Sequence, residues 1–446
     1  MKSTEANSTR LPIVAAVIYL GALFLALVAD PFGGPEKLPR KSKNDAPFSE
    51  IIGDNEGFGW AAAGGADFDG DGVFDLLVSS PMGNQESRYH GQGHILSPTK
   101  RTAIHLPITS PWPWHSNIAS VSLLSDLNQD GSPEIAFGFH GLTNNVRRSC
   151  VQVVSGINGQ DLFTLANKNR GEQFGRSICS IGDIDGDKID DLAIGAPGSS
   201  KNNRPGMVYL YSGKNGRTIG NIMPSNRAGN RFGYSLAYIG DTNNDGKGEL
   251  MVGAPGTSSN GYRSGTVFVY TPATGELIRQ HNGGMDNDHL GTAVAALEDH
   301  DGDGVNDYAF TSCSDLREST VRVISGANGQ EIFAAESAAK GDQFGFSLCL
   351  AGDINGDQVR DLVVGAPFAA HGEIPGVGYV RFISGRDGSL LKHIRGTEEN
   401  EYFGFNVAPA GDQNRDEKAD VFVTSPMSDG RKGRVSIFGI GQAQER

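Results

Sequence analysis

The sequence predicts an all-β protein, a seven-bladed β-propeller of four-stranded antiparallel blades preceded by one N-terminal transmembrane or signal helix. Three observations predict it. An Asp-rich segment recurs along the chain, beginning at Asp67, Asp126, Asp183, Asp241, Asp299, Asp353 and Asp412, at intervals of 54 to 59 residues. Glycine is abundant, 62 of 446 residues, and separates short apolar runs, which suits many short strands joined by tight turns. An uncharged stretch, Leu11 to Ala29, opens the chain.

The repeat carries constant flanks. About eight residues before each acidic loop stands Phe-Gly or a relative: Phe58-Gly59, Phe174-Gly175, Phe232-Gly233, Leu290-Gly291, Phe344-Gly345 and Phe403-Gly404, with His115-Ser116 in the second unit. After the loop an apolar run ends in Gly-Ala-Pro, as at Gly195-Ala196-Pro197, Gly253-Ala254-Pro255 and Gly365-Ala366-Pro367, or in Ser-Pro, as at Ser80-Pro81 and Ser425-Pro426. A further strand then runs into a turn such as Asn158-Gly159 or Asn328-Gly329, residues that tolerate positive φ. Radial repetition shelters the sheet edges that an open array would leave exposed. Closure is predicted from the ends: Phe48 to Ile52 has no blade of its own, Arg434 to Phe438 lacks an outer neighbour, and pairing them completes one blade.

Within each loop, acidic or amide side chains occupy positions 1, 3, 5 and 9, and the carbonyl at position 7 is expected to face inward. The candidate ligands are Asp67, Asp69, Asp71, Val73 and Asp75 in the first loop, and Asp126, Asn128, Asp130, Ser132 and Glu134 in the second. They are Asp183, Asp185, Asp187, Ile189 and Asp191 in the third, and Asp241, Asn243, Asp245, Lys247 and Glu249 in the fourth. The fifth offers Asp299, Asp301, Asp303, Val305 and Asp307, the sixth Asp353, Asn355, Asp357, Val359 and Asp361, and the seventh Asp412, Asn414, Asp416, Lys418 and Asp420. Calcium takes six to eight oxygens from carboxylates, amides and carbonyls, and alternate positions of a tight turn can converge on one ion. Asp and Asn also order turns without metal, but three or four carboxylates crowded into nine residues repel one another if bare. Up to seven structural Ca2+ ions are therefore expected. The first, third and fifth loops, with four carboxylates each, are expected to bind tightest; the seventh, with Arg415 and Glu417 where others place Gly, is the weakest candidate.

The unit, from Phe-Gly through the Asp-rich loop to Gly-Ala-Pro, resembles the FG-GAP repeat that builds the seven-bladed propeller at the head of integrin α chains. The resemblance covers roughly Phe48 to Ile440. It implies a binding or adhesion module that presents a protein- or polysaccharide-recognising face outside the cell. In integrin propellers only some blades carry the metal loop, so seven would be a fuller set. The chain shows no inserted Asp-x-Ser-x-Ser metal domain and places its apolar segment at the opposite end from an integrin anchor, so heterodimer signalling is not implied.

The organisation read from the sequence is an N-terminal tail at 1–10, a transmembrane helix or signal peptide at 11–29, a linker at 30–47, the propeller at 48–440 and a C-terminal tail at 441–446. The nineteen residues of the apolar segment at about 1.5 Å each approach the thickness of a bilayer core, which favours an uncleaved anchor; a cleaved signal peptide, after which the protein would be secreted, is the alternative. Extracellular calcium modules bind at about 0.1 to 1 mM, which places the propeller outside the cytosol. The net charge of -14 excludes a nucleic-acid partner, whose phosphates need Lys and Arg. The cysteines Cys150, Cys179, Cys313 and Cys349 are expected as free buried thiols, with Cys150–Cys179 and Cys313–Cys349 pairs as the alternative.

If the acidic loops join the first and second strands, the loops on the opposite face vary most between units and form the expected ligand-binding surface. Tyr89, Trp112, Trp114, Arg147, Arg148, Tyr262 and Arg263 are its candidate residues, because aromatic and Arg side chains dominate recognition hot spots. An enzyme, a polysaccharide lyase or hydrolase on the same scaffold, is the alternative. Against it, no His metal pair or Gly-x-Ser-x-Gly elbow appears, and no catalytic residue is assigned.

Overall fold

The computed structural model describes residues 46–54, 56–81, 91–104, 108–109, 116–143, 146–166, 171–198, 205–224 and 229–439. The expected N-terminal tail, apolar helix, most of the linker and the C-terminal tail lie outside these residues. Among the described residues, no helix is long and apolar enough to cross a membrane.

Seven antiparallel sheets follow one another along the chain. The third shows the plan: Ser177–Ser180, Leu192–Ala196, Met207–Tyr211 and Thr218–Ile222 pair in sequence order, each hairpin to the next. The innermost strand of each blade touches that of the next, and Ala62–Ala63 of the first blade touches Val407–Gly411 of the seventh, so the array closes into a ring. The seventh blade is assembled from both ends of the propeller. Ser49–Ile52 pairs antiparallel with Arg434–Gly439, Ser49 opposite Ile437 and Ile52 opposite Arg434, which is the closure expected from the sequence.

Burial follows strand position. Second strands are covered on both faces by neighbouring blades, and Leu192–Ala196, Glu249–Ala254 and Leu362–Ala366 are buried along their whole length. Outer strands are wetter, as in Glu276–Asn282. The cores lie between blades: Leu192 and Ile194 of the third blade pack with Val151, Val153 and Leu165 of the second, around Phe174 of the Phe-Gly motif. Each fully buried aliphatic or aromatic side chain of this kind contributes about 1.5–3 kcal/mol. Hydroxyls on the innermost strands tie each blade to the next, with Ser177, Ser235 and Ser347 Oγ donating to the carbonyls of Gly233, Gly291 and Gly404, each at 2.9 Å.

All four cysteines are free thiols; neither alternative pairing forms. Cys150 and Cys313 are buried as expected, whereas Cys179 and Cys349, on innermost strands, are half-buried against the cores between blades.

Candidate metal centres

Each acidic loop leaves the innermost strand and enters the second, so all seven open on the same face of the ring. One backbone geometry repeats seven times. In every loop the position 1 Asp accepts the position 5 N–H at 3.0–3.2 Å. The position 3 side chain accepts the same N–H at 2.8–3.2 Å. Position 5 in turn accepts the N–H of Val73, Ser132, Ile189, Lys247, Val305, Val359 or Lys418 at 2.8–3.0 Å. Position 9 reaches back to the position 2 N–H, as in Asp191 to Ile184 at 2.8 Å and Asp420 to Gln413 at 2.7 Å.

These bonds bring like charges together. Three acidic groups offer oxygens within 4.8 Å of one another in Asp67, Asp69 and Asp71; in Asp126, Asp130 and Glu134; in Asp183, Asp185 and Asp191; in Asp241, Asp245 and Glu249; and in Asp299, Asp301 and Asp303. The sixth and seventh loops, with Asn355 and Asn414 at position 3, share the hydrogen-bond pattern but are not among these five clusters. Burial, followed by repulsion from the neighbouring aspartates, pushes the carboxyls of Asp75, Glu134 and Asp420 up to about 7. Burial likewise raises Asp191, Asp307 and Asp361.

The position 9 carboxylates test whether a cation fits. Their second oxygen accepts a hairpin glycine N–H in three blades: Gly213 to Asp191 at 3.2 Å, and Gly326 to Asp307 and Gly385 to Asp361 at 2.9 Å. The fourth blade has Pro272 at that place, and Thr271 Oγ1 donates to Glu249 at 3.2 Å instead. In the first blade Pro98 stands there, proline has no N–H, and Asp75 Oδ1 is left buried without a partner. Glu134 Oε1 is orphaned as well. Asp75 and Glu134 are 1% and 0% exposed, so each holds a desolvated acceptor beside further carboxylates, a donor set that fits a hard divalent cation.

The remaining candidates were expected on the opposite face. Tyr89, Trp112 and Trp114 lie outside the described residues, as does the side chain of Arg147. Arg148 is exposed on the strand Val146–Val154. Tyr262 is 60% exposed, and the Arg263 guanidinium stands 5.1 Å from the centre of its ring.

Two features escaped the sequence reading. Basic side chains of the hairpins between third and fourth strands reach the acidic loops: Lys100 Nζ lies 2.7 Å from Asp69, Arg386 Nε 3.3 Å from Asp357 and Lys214 Nζ 3.9 Å from Asp187. Their signal was the shared offset of Lys214 and Arg386 behind Ser212 and Ser384. The residues after Phe-Gly also build an aromatic row, with Trp60 and Phe346 centred 4.8 and 5.0 Å from Phe405.

The FG-GAP repeat family matches at residues 58–96, 174–211, 232–270 and 344–382, which belong to the first, third, fourth and sixth blades. The chain is 30% identical over 160 residues to integrin alpha-4 of Xenopus laevis, covering 33% of this chain and 15% of the relative. It is 32% identical over 204 residues to integrin alpha-V of Gallus gallus, covering 42% of this chain and 19% of the relative. The chain thus spans less than a fifth of these relatives. Among solved structures, the V. cholerae biofilm matrix protein Bap1 aligns with 88% of each chain covered, at 11% identity and a TM-score of 0.45. The chain therefore carries FG-GAP repeats in a seven-bladed β-propeller and has integrin α chains among its relatives.

Proposed function

We propose that this protein is a calcium-stabilised binding or adhesion propeller held outside the cytosol, which recognises a protein or polysaccharide on the face opposite its acidic loops. The observation that carries the calcium assignment is the pair of buried, partnerless oxygens on Asp75 and Glu134, each at the closing position of an acidic loop. Calcium would be held by the carboxylates and amides at positions 1, 3, 5 and 9, together with the position 7 carbonyls of Val73, Ser132, Ile189, Lys247, Val305, Val359 and Lys418. The ion supplies charge neutralisation, which lets the turn between first and second strands keep one shape. The similarity to integrin α chains supports a binding rather than a catalytic role.

The segment 11–29 anchors the chain in a membrane, or directs its export if it is cleaved. The exposure of Tyr262 and Arg148 and the packing of the Arg263 guanidinium on the Tyr262 ring support these three as members of the recognition surface. The test is to probe a glycan and protein array with the purified chain, in calcium and in chelator. Retention of a ligand class in calcium, lost in chelator and weakened by Tyr262→Ala, is expected. Shortened or unsaturated glycan products would instead establish an enzyme, and retention indifferent to calcium would break the link between the loops and binding.

A further inference from the structure

Hairpin side chains divide the first six acidic loops into two groups; the seventh blade, whose third and fourth strands come from opposite ends of the propeller, has no such hairpin. Lys100 approaches the first loop, Lys214 the third and Arg386 the sixth, each from the hairpin of the same blade. In the first loop Thr99 Oγ1 also bonds Asp71, and Arg415 Nη2 of the seventh loop lies 3.4 Å from the Asp71 carbonyl. Arg386 is doubly engaged, its Nη2 lying 2.5 Å from the Asp357 carbonyl oxygen. Among the described residues, no ion pair reaches a carboxylate of the second, fourth or fifth loop. The residues at the Lys214 position are Ile157, Ala273 and Ala327 in those blades, all exposed.

In the third and sixth loops the cation goes with a position 5 carboxylate that stands outside the acidic clusters, whereas in the first loop Lys100 pairs with Asp69, which stays clustered with Asp67 and Asp71. In the second, fourth and fifth loops the position 5 residues Asp130, Asp245 and Asp303 belong to the acidic clusters. Asp187 and Asp357, which face Lys214 and Arg386, belong to none. The hairpin serine differs between the second and fifth loops on one side and the third on the other. Ser155 and Ser325 Oγ donate to Asp130 and Asp303 at 3.5 and 3.3 Å, whereas Ser212 Oγ, 1% exposed, has no partner beside the third loop.

We propose that Lys100, Lys214 and Arg386 are tethered counter-ions that hold the first, third and sixth loops folded at low calcium and raise the calcium concentration at which those loops fill. This rests on the calcium reading above. It reorders the expectation from carboxylate count, because two of the three loops with four carboxylates also carry a competing cation. A basic group a few ångströms from a bound divalent ion, only partly screened by water, lowers its affinity by about tenfold. The protein would then bind calcium in two steps, the second, fourth and fifth loops filling first.

The test is equilibrium dialysis or calorimetric titration of the full chain with calcium, compared with the triple variant Lys100→Ala, Lys214→Ala, Arg386→Ala. The three side chains are 54%, 56% and 58% exposed, so the variant keeps its fold. The expected result is a two-step isotherm whose later step moves to about tenfold lower free calcium in the variant, with the earlier step unchanged. Lys100→Arg with Lys214→Arg and Arg386→Lys should restore the wild-type curve. Conversely, Ile157→Lys with Ala327→Lys should move part of the first step to higher calcium. Calcium bound with superimposable curves for all variants would overturn this proposal alone. No calcium bound at millimolar concentration by any of them would overturn the calcium reading itself.

Discussion

Gly195 of the third blade and Gly233 of the fourth meet so closely that a Cβ on Gly195 would lie 2.1 Å from the Gly233 carbonyl oxygen. The first glycine closes the apolar run of one repeat and the second belongs to the Phe-Gly of the next. Gly253 with Gly291 and Gly365 with Gly404 repeat the contact at 2.2 and 2.1 Å. The repeat therefore keeps two glycines because they are the two sides of one blade interface. Gly195→Ala must push successive blades apart and should cost about 2–3 kcal/mol. Gly220→Ala, with nothing within 4 Å of the added methyl, should change stability by no more than about 0.5 kcal/mol. Denaturant unfolding of both variants measures this, and equal effects would contradict the interface role.

Ring closure through Ser49–Ile52 predicts that deleting these residues strips the seventh blade of its outer strand. Ile51 also loses its packing against the cluster of Phe58, Val435 and Ile437. The deleted protein should melt lower and be cleaved faster by protease near Arg434. An unchanged melting curve would show that the ring is held without this strand.

Acid should destabilise the propeller through two buried histidines. Burial pushes His94 and His281 down to about 4, below the unfolded value of about 6.5. The native state keeps both neutral, so their contribution is present above pH 6.5 and is lost as pH falls towards 4, where the unfolded chain takes up protons that the native chain does not. His94→Leu should flatten the loss of stability across this window, as read by urea unfolding at a series of pH values. A profile identical to wild type would contradict the assignment.

The thiols should be inert in the native protein. Burial pushes Cys150, Cys179, Cys313 and Cys349 up to about 12, so almost none is thiolate at neutral pH. Titration with a thiol reagent should find all four only after denaturation. Fewer than four groups in denaturant without reductant would indicate a disulfide.

Much of this architecture was legible because it repeats. A single Asp-rich turn is ambiguous, but seven with common flanks specified blade number, strand order and ring closure, down to the pairing of Ser49–Ile52 with Arg434–Gly439. The same pattern gave the positions 1, 3 and 5 that share one hydrogen-bond geometry in all seven loops. What it hid was the content of the neighbouring hairpins. Lys100, Lys214 and Arg386 are 27 to 31 residues from the carboxylates they meet, and only strand register brings them there. Pro98 was equally silent, since its effect is a missing N–H opposite Asp75 in the fold rather than a property of the turn it sits in.

The most direct measurement is the melting temperature of the purified chain in 2 mM calcium and in excess chelator. Ligands that bind only the native state stabilise it by mass action, and several millimolar-range sites should together raise the melting temperature by roughly 5–10 °C. Coincident curves would mean that the crowded carboxylates of Asp75, Glu134 and their neighbours stand in the folded ring without a divalent ion, and the account of the loops would be wrong.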